Sequence, residues 1–201
     1  MAITQAIPAQ AFELIRNRIG EILASEFTAQ KVITPSWVKP TVWVERYFAF
    51  NGDTDFPAVN VTFAGGSYVN ETIQRSQAEY TYNINVFTSS PSTSTSNADK
   101  LSILQMQKIV GMIRAILMNP IYVRLGYAST AGVVISRRID AVRMGDKKDI
   151  QDALSDVVGQ ISIVVNAIET TELAEGVLVE MVNSNVKLDE SAEGFYFSST
   201  I

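Results

Sequence analysis

Across 201 residues there is no histidine and no cysteine. Without an imidazole, no side chain titrates between pH 5 and 8 at its ordinary value. Without a thiol there is no thiolate nucleophile, no disulfide and no zinc site of the Cys/His kind. Ser-His-Asp and Cys-His arrangements are excluded by composition alone. What remains for chemistry is carboxylates, Lys, Tyr and Ser, which need tight clustering to work. The chain therefore reads as built to hold rather than to transform. The absence of cysteine fits any redox compartment.

Charge is also scarce, at 18% against a norm of roughly 25%. Hydrophobic residues make up 47%, an ordinary share, and a chain of this length buries a full core without staples. Low charge suggests surface covered by partners, although crowded apolar sheets give the same statistic. The charge is unevenly placed. Residues 169–201 hold Glu169, Glu172, Glu175, Glu180, Asp189, Glu190 and Glu193 against the single base Lys187, a net of −6. The whole chain is at −5, so residues 1–168 sit near neutral at +1. Such a balance argues against gripping nucleic acid by its phosphates. The N-terminal MAITQAIPAQ has no basic region followed by an apolar run, so no secretory signal is expected. No uninterrupted apolar stretch reaches the ~18 residues of a membrane span; Ile109 to Met118 is broken by Gly111 and Arg114.

The first periodic segment runs from Ala9 to Phe27. Phe12, Ile15, Ile19, Ile22, Leu23 and Phe27 form an apolar stripe opposite Glu13, Asn17, Glu21 and Ser25, which predicts an amphipathic helix. Pro8 suits its start, and Pro35 and Pro40 punctuate the loop beyond. Three strands are expected next: Thr41–Phe50, ended by Asn51-Gly52-Asp53; Pro57–Ala64, ended by Gly65-Gly66; and Glu79–Thr88. The clean alternation of Tyr80, Tyr82, Ile84 and Val86 with Thr81, Asn83 and Asn85 predicts a half-buried antiparallel meander. The polar segment 88–97, TSSPSTSTSN, reads as a flexible loop.

A second helix is expected from Ala98 to Met118, capped by Asn97 and ended by Asn119-Pro120. Its apolar residues cover more than half the circumference, which calls for contacts on two sides. Two strands, Gly132–Met144 and Ala153–Ile168, flank a hairpin loop at residues 145–149. Beyond Glu169, Val177–Val182 suggests a short strand and Phe195-Tyr196-Phe197 an aromatic hook. The expected architecture is α+β: a mainly antiparallel sheet with two helices on one face, spanning residues 1–168, and an acidic C-terminal extension over 169–201.

Asp53-Thr54-Asp55 sets two carboxylates beside a turn, a hard-cation arrangement. No further acids cluster there, so an exposed turn is the favoured reading. Gly65-Gly66-Ser67 lacks the spacing and Lys of a phosphate loop. Trp37 and Trp43 suit an interface, with core packing the favoured use. Arg137, Arg138, Arg143, Lys147 and Lys148 form the one dense basic patch, partly neutralised by Asp140, Asp146, Asp149 and Asp152. A solvated hairpin tip is favoured over a contact with DNA, and it stands level with a contact to an acidic protein surface. The extension offers the matching acid, together with Val177, Val179 and Met181 and the aromatic Phe195, Tyr196 and Phe197. Such a segment suits strand addition on a neighbouring subunit or partner ring, the alternative being that it folds back as an extra strand on its own sheet.

The element order resembles the tail-terminator, or tail-completion, proteins of tailed bacteriophages. The pieces are AFELIRNRIGEILASEF, the strands FPAVNVTF and EYTYNINVFT, the helix DKLSILQMQKIVGMIRAILM, and the pair VVISRRIDAVRM and VVGQISIVVNAIE. The resemblance covers residues 9–168. It implies a ring-forming, usually hexameric, structural subunit of the virion neck that caps the tail tube and joins it to the head connector. It also implies assembly in the host cytoplasm and no enzymatic activity. Cofactors, metals, membrane and specific nucleic-acid recognition have no place in that expectation. The extension lies outside the pattern and leaves open another tail or neck component (tube, connector or sheath-associated). The competing classes are a non-viral α+β domain that binds a small molecule, and an enzyme working with carboxylates and Tyr alone.

Overall fold

A computed structural model describes residues 9–46, 56–71, 75–89, 98–127, 133–144, 157–170, 187–191 and 194–198. The chain divides into two units: Ala6–Thr171, and a second made of Met1–Gln5 with Glu172–Ile201.

The larger unit is an α+β fold. Helix α1 is Ala11–Ile33, strand β1 Thr41–Val44, β2 Ala58–Glu71, β3 Arg75–Thr88, helix α2 Ala98–Met118, β4 Val134–Met144 and β5 Val157–Thr170. A short 3-10 turn at Pro120–Tyr122 follows α2. The five strands form one sheet in the order β1-β2-β3-β5-β4. Both helices pack on the same face.

Alternation chooses that face. On β3, Tyr80, Tyr82, Ile84 and Val86 are buried, as are Val59 and Val61 on β2 and Ile161, Ile163 and Val165 on β5. They meet Ile15, Ile19, Leu23 and Phe27 of α1 and Met106, Ile109, Ile113 and Leu117 of α2. Among the described residues, one helix, Lys100–Met118, is long and apolar enough to cross a membrane by length and composition alone. Here its apolar side lies on the sheet. The fit is close: a Cβ added at Gly159 of β5 would sit 2.5 Å from Met106 Sδ. Helix α1 begins where the Gln10 backbone N–H donates to Glu13 Oε2 at 2.9 Å, satisfying one donor that the first turn leaves open. It extends six residues beyond the periodic stripe that ends at Phe27, to Ile33.

The strands do not form the expected meander. β1 runs parallel to β2, with Thr41 beside Ala58 and Val44 beside Val61. A parallel neighbour needs a crossover of a dozen or so residues, and residues 45–57 supply it. β1 ends at Val44 because Glu45 turns into the left-handed region at φ 50°, uncommon for a side chain other than glycine. The Glu45 carboxylate then accepts from the Phe63 N–H at 2.7 Å and pairs with Arg16 at 3.4 Å. Gly65-Gly66 does not end β2 either. The strand continues to Glu71 through a register shift between Phe63 and Gly65. Gly65 absorbs the irregularity at φ 148°; Gly66 lets the Tyr80 ring approach to within 2.5 Å of where a Cβ would stand. β3 carries on through Thr88, which is fully buried and donates its hydroxyl to Ser102 O at 2.9 Å, so the loop begins after it.

The opposite face of the sheet is amide-rich. Trp43, Asn60, Asn85, Gln160 and Arg143 share one cross-strand row. Gln160 donates to Asn85 at 2.9 Å and Asn166 to Ser136 at 2.9 Å. The buried Asn60 is satisfied in both senses by the Arg46 backbone, accepting from its N–H at 3.1 Å and donating to its carbonyl at 2.8 Å. That pairing fastens the start of the crossover to this face.

In the second unit β6, Lys187–Ser191, pairs antiparallel with β7, Gly194–Ser198. The Phe195-Tyr196-Phe197 run lies within β7.

Candidate functional site

β4 lies at one edge of the sheet, beside α2. Its two adjacent arginines must point to opposite faces, because successive strand residues alternate. Arg137 takes the helix face. Its Nε–H donates to Leu117 O and its Nη2–H to Asn119 O, the latter at 2.7 Å. These are among the carbonyls that the end of α2 leaves open, and a cation there also suits the helix dipole. Partial burial pulls the Arg137 pKa below its usual value. Arg138 takes the other face and forms a bidentate pair with Glu79, at 3.0 and 3.2 Å. Hydrogen bonding to Glu79 raises the Arg138 pKa, and the same bond lowers that of Glu79. Two members of the basic patch thus have partners within the fold and do not share a surface. Arg143 is exposed on the same face as Arg138, three positions beyond Asp140, where the register shifts.

The register shift at Asp140 reverses the parity, so that beyond it Val142 and Met144 lie on the helix face of β4, opposite Ile161 and Gly159 and beside α2. Gln107 of α2 reaches Met144 Sδ at 3.9 Å. Along this contact runs a seam whose apolar lining stays open: Val142 is 44% exposed, Met144 52% and Ile103, one turn before Gln107, 38%. Leu104 and Met118 continue the apolar strip over the outer side of α2. Its charges are of one sign. Lys108 and Arg114 are exposed on α2, which has no acid between Leu101 and Met118, while Arg143 stands on the opposite face of the edge strand. Among the described residues, none of these three cations makes an ion pair. The wide apolar stripe of α2 thus has one side on the sheet and another turned outward.

A second cluster lies at the other end of the helix-covered face. The Tyr80 hydroxyl sits 2.5 Å from Glu169 Oε1 and 3.3 Å from Tyr68 Oη, among the rings of Phe12 and Phe63. Burial first, then the bond to Glu169, raises the Tyr80 pKa far above the ordinary phenol value. A phenol held protonated in this way is a poor proton acceptor. Glu169 therefore belongs to β5 and its packing.

The remaining sequence candidates separate. Trp37 is buried against Phe27, ring centroids 5.7 Å apart. Trp43 is half-exposed beneath the Arg46 guanidinium, 4.2 Å from its centroid. Lys147 and Lys148, Val177, Val179 and Met181, the Asp53-Thr54-Asp55 turn and the segment 90–97 lie outside the described residues. Among the described residues, no three acids converge as a metal site would require. Sequence reasoning missed Val142, Met144 and Ile103. Their apolar character in an amphipathic pattern signals burial, and only the edge position of β4 leaves them open. No known protein family matches the sequence, and no characterised protein is significantly similar to it.

Proposed function

We propose that this chain is a ring-forming structural subunit of a phage tail, a terminator or neck protein that caps the tail tube and joins it to the head connector. The observation that carries the reading is the α2–β4 seam, an open apolar strip beside Lys108 and Arg114 at an edge of the described sheet. Exposed apolar strips with a polar rim mark protein contacts. A chain without imidazole or thiol fits assembly better than turnover. The order helix, strands, long helix and returning strand pair fits the same family. On this reading the subunit forms a homo-oligomer, a hexameric ring, that meets tube and head-completion proteins in the virion and catalyses nothing.

Native mass measurement and negative-stain imaging test it, with the protein alone and mixed with tail tubes. Annular particles or capped tube ends are expected. Protein that stays at 22.1 kDa and ignores tubes under every condition rules it out.

A further inference from the structure

Helix α2 carries a straight line of exposed residues on the side turned away from the sheet. At about 100° per residue, Leu104, Gly111 and Met118 fall on that line over about 21 Å, and all three are exposed. Leu104 and Met118 stand at its ends, 54% and 45% exposed. Between them the surface dips, because a Cβ at Gly111 would meet nothing within 4 Å and the neighbouring exposed residue is the small Ala115. Lys108 lies about 60° to one side of Gly111 and Arg114 about 60° to the other. Lys100, also exposed, precedes Leu104 by one turn, and no acid stands on α2 from Lys100 to Met118. Helix stability does not account for Lys100, since the first turn favours acids over bases. On the flank where Gln107 meets Met144, Ile103 joins the line to the seam.

We propose that this face of α2 seats an amphipathic helix of another protein, one whose apolar stripe is edged by Asp or Glu on both sides. The inference rests on the reading of this side of the molecule as a protein contact, and it adds the partner's chemistry. A helix face has its backbone groups bonded within the helix, so an extended strand finds no ladder there. A partner must bind through side chains at helical spacing. Large apolar side chains of the partner enter the dip at Gly111 and Ala115, which lets the two axes approach closely, while Leu104 and Met118 close the ends of the contact. Lys108 and Arg114 then stand on either side of the partner and face its acids, as flanking charges do between paired helices. Salt screens that pairing. A second copy of α2 is the wrong occupant, because two such faces bring cations against cations.

The test titrates the full chain into two fluorescein-labelled synthetic helices, each with a stripe of Leu, one edged by Glu and the other by Lys, and follows anisotropy. The Glu-edged helix should bind several-fold more tightly. That preference should shrink as salt is raised, and it should reverse in the double variant K108E/R114E. Gly111→Leu fills the dip without meeting the rest of the fold, so it should keep the thermal midpoint and lose the binding. Equal binding of the two helices, no binding of either, or Glu-edged binding that survives both K108E/R114E and G111L overturns the proposal. Native mass judges the ring reading separately. A chain that forms rings yet prefers neither helix leaves that reading in place and ends this one; a monomer that prefers the Glu-edged helix does the reverse. If the Glu-edged helix binds only by dissolving rings, a second copy covers the face and the proposal fails.

Discussion

Arg137 closes the end of helix α2 from across the fold, its Nη2–H donating to Asn119 O at 2.7 Å. Arg138, the next residue, reaches the other side of the sheet to Glu79. The two neighbours should therefore respond differently to the same substitution. Arg137→Ala removes charged donors from carbonyls at a partly buried helix end, and a cost of about 1–3 kcal/mol follows. Arg138→Ala breaks a solvent-exposed pair, worth little in water. Thermal unfolding of both variants should show a clear drop for the first and almost none for the second. Equal effects would mean that the cap contributes nothing.

Two glycines on the two helices offer a similar contrast. A Cβ at Gly20 would sit 2.7 Å from Val44 Cγ2, where α1 crosses β1, whereas nothing lies within 4 Å of one at Gly111. Gly20→Ala forces helix and strand apart and should cost about 1–3 kcal/mol, as overpacking does. Gly111→Ala gains helix propensity on an exposed turn and should stabilise by about 0.5–1 kcal/mol. Denaturant midpoints of the two variants should move in opposite directions.

Alkaline pH should weaken the fold through two phenols. Burial is the first cause that raises both Tyr80 and Tyr82 above the ordinary value near 10. The Tyr82 hydroxyl donates to Phe12 O at 3.0 Å, and that of Tyr80 is held by Glu169. In the unfolded chain both lose their protons above about pH 10; in the folded chain they keep them. Their contribution is complete below that pH and declines above it, by up to about 1.4 kcal/mol per pH unit for each phenol. Unfolding followed from pH 8 to 11 should show this decline, and the double variant Y80F/Y82F should flatten it. An unchanged slope would assign alkaline weakening to other groups.

The parts of this fold legible in the sequence are those governed by local period. Tyr80, Tyr82, Ile84 and Val86 announce a strand face, and the span of α2 follows from its stripe and its Asn-Pro stop. The parallel pairing of β1 was not legible, because it depends on Glu45 at φ 50° and on a crossover fastened by Asn60. Nor was the passage of β2 through Gly65-Gly66, since a glycine pair serves a bulge as well as a turn. For the candidate site, alternation already separates Arg137 from Arg138. That Arg137 meets the end of α2 is a tertiary fact. The exposure of Val142 and Met144 follows from strand order, which no single-strand pattern carries.

Residues beyond Thr171 can be removed to ask what they do. The five-stranded sheet ends with Thr170 of β5, and the helices, the sheet and the core between them all lie within Ala6–Thr171. A chain stopped after Thr171 keeps the buried face of Tyr80, Tyr82, Ile161 and Ile163, and Glu169 remains to hold the Tyr80 hydroxyl. It should unfold cooperatively with a midpoint near that of the full chain, and its circular dichroism should retain both helices. What it should lose is association: on a sizing column it should run as a monomer at concentrations where the full chain assembles. A shortened chain that still forms rings would show that the acidic segment is not the connector. One that fails to fold would place the segment in the core, and the separation of fold from assembly drawn here would be wrong.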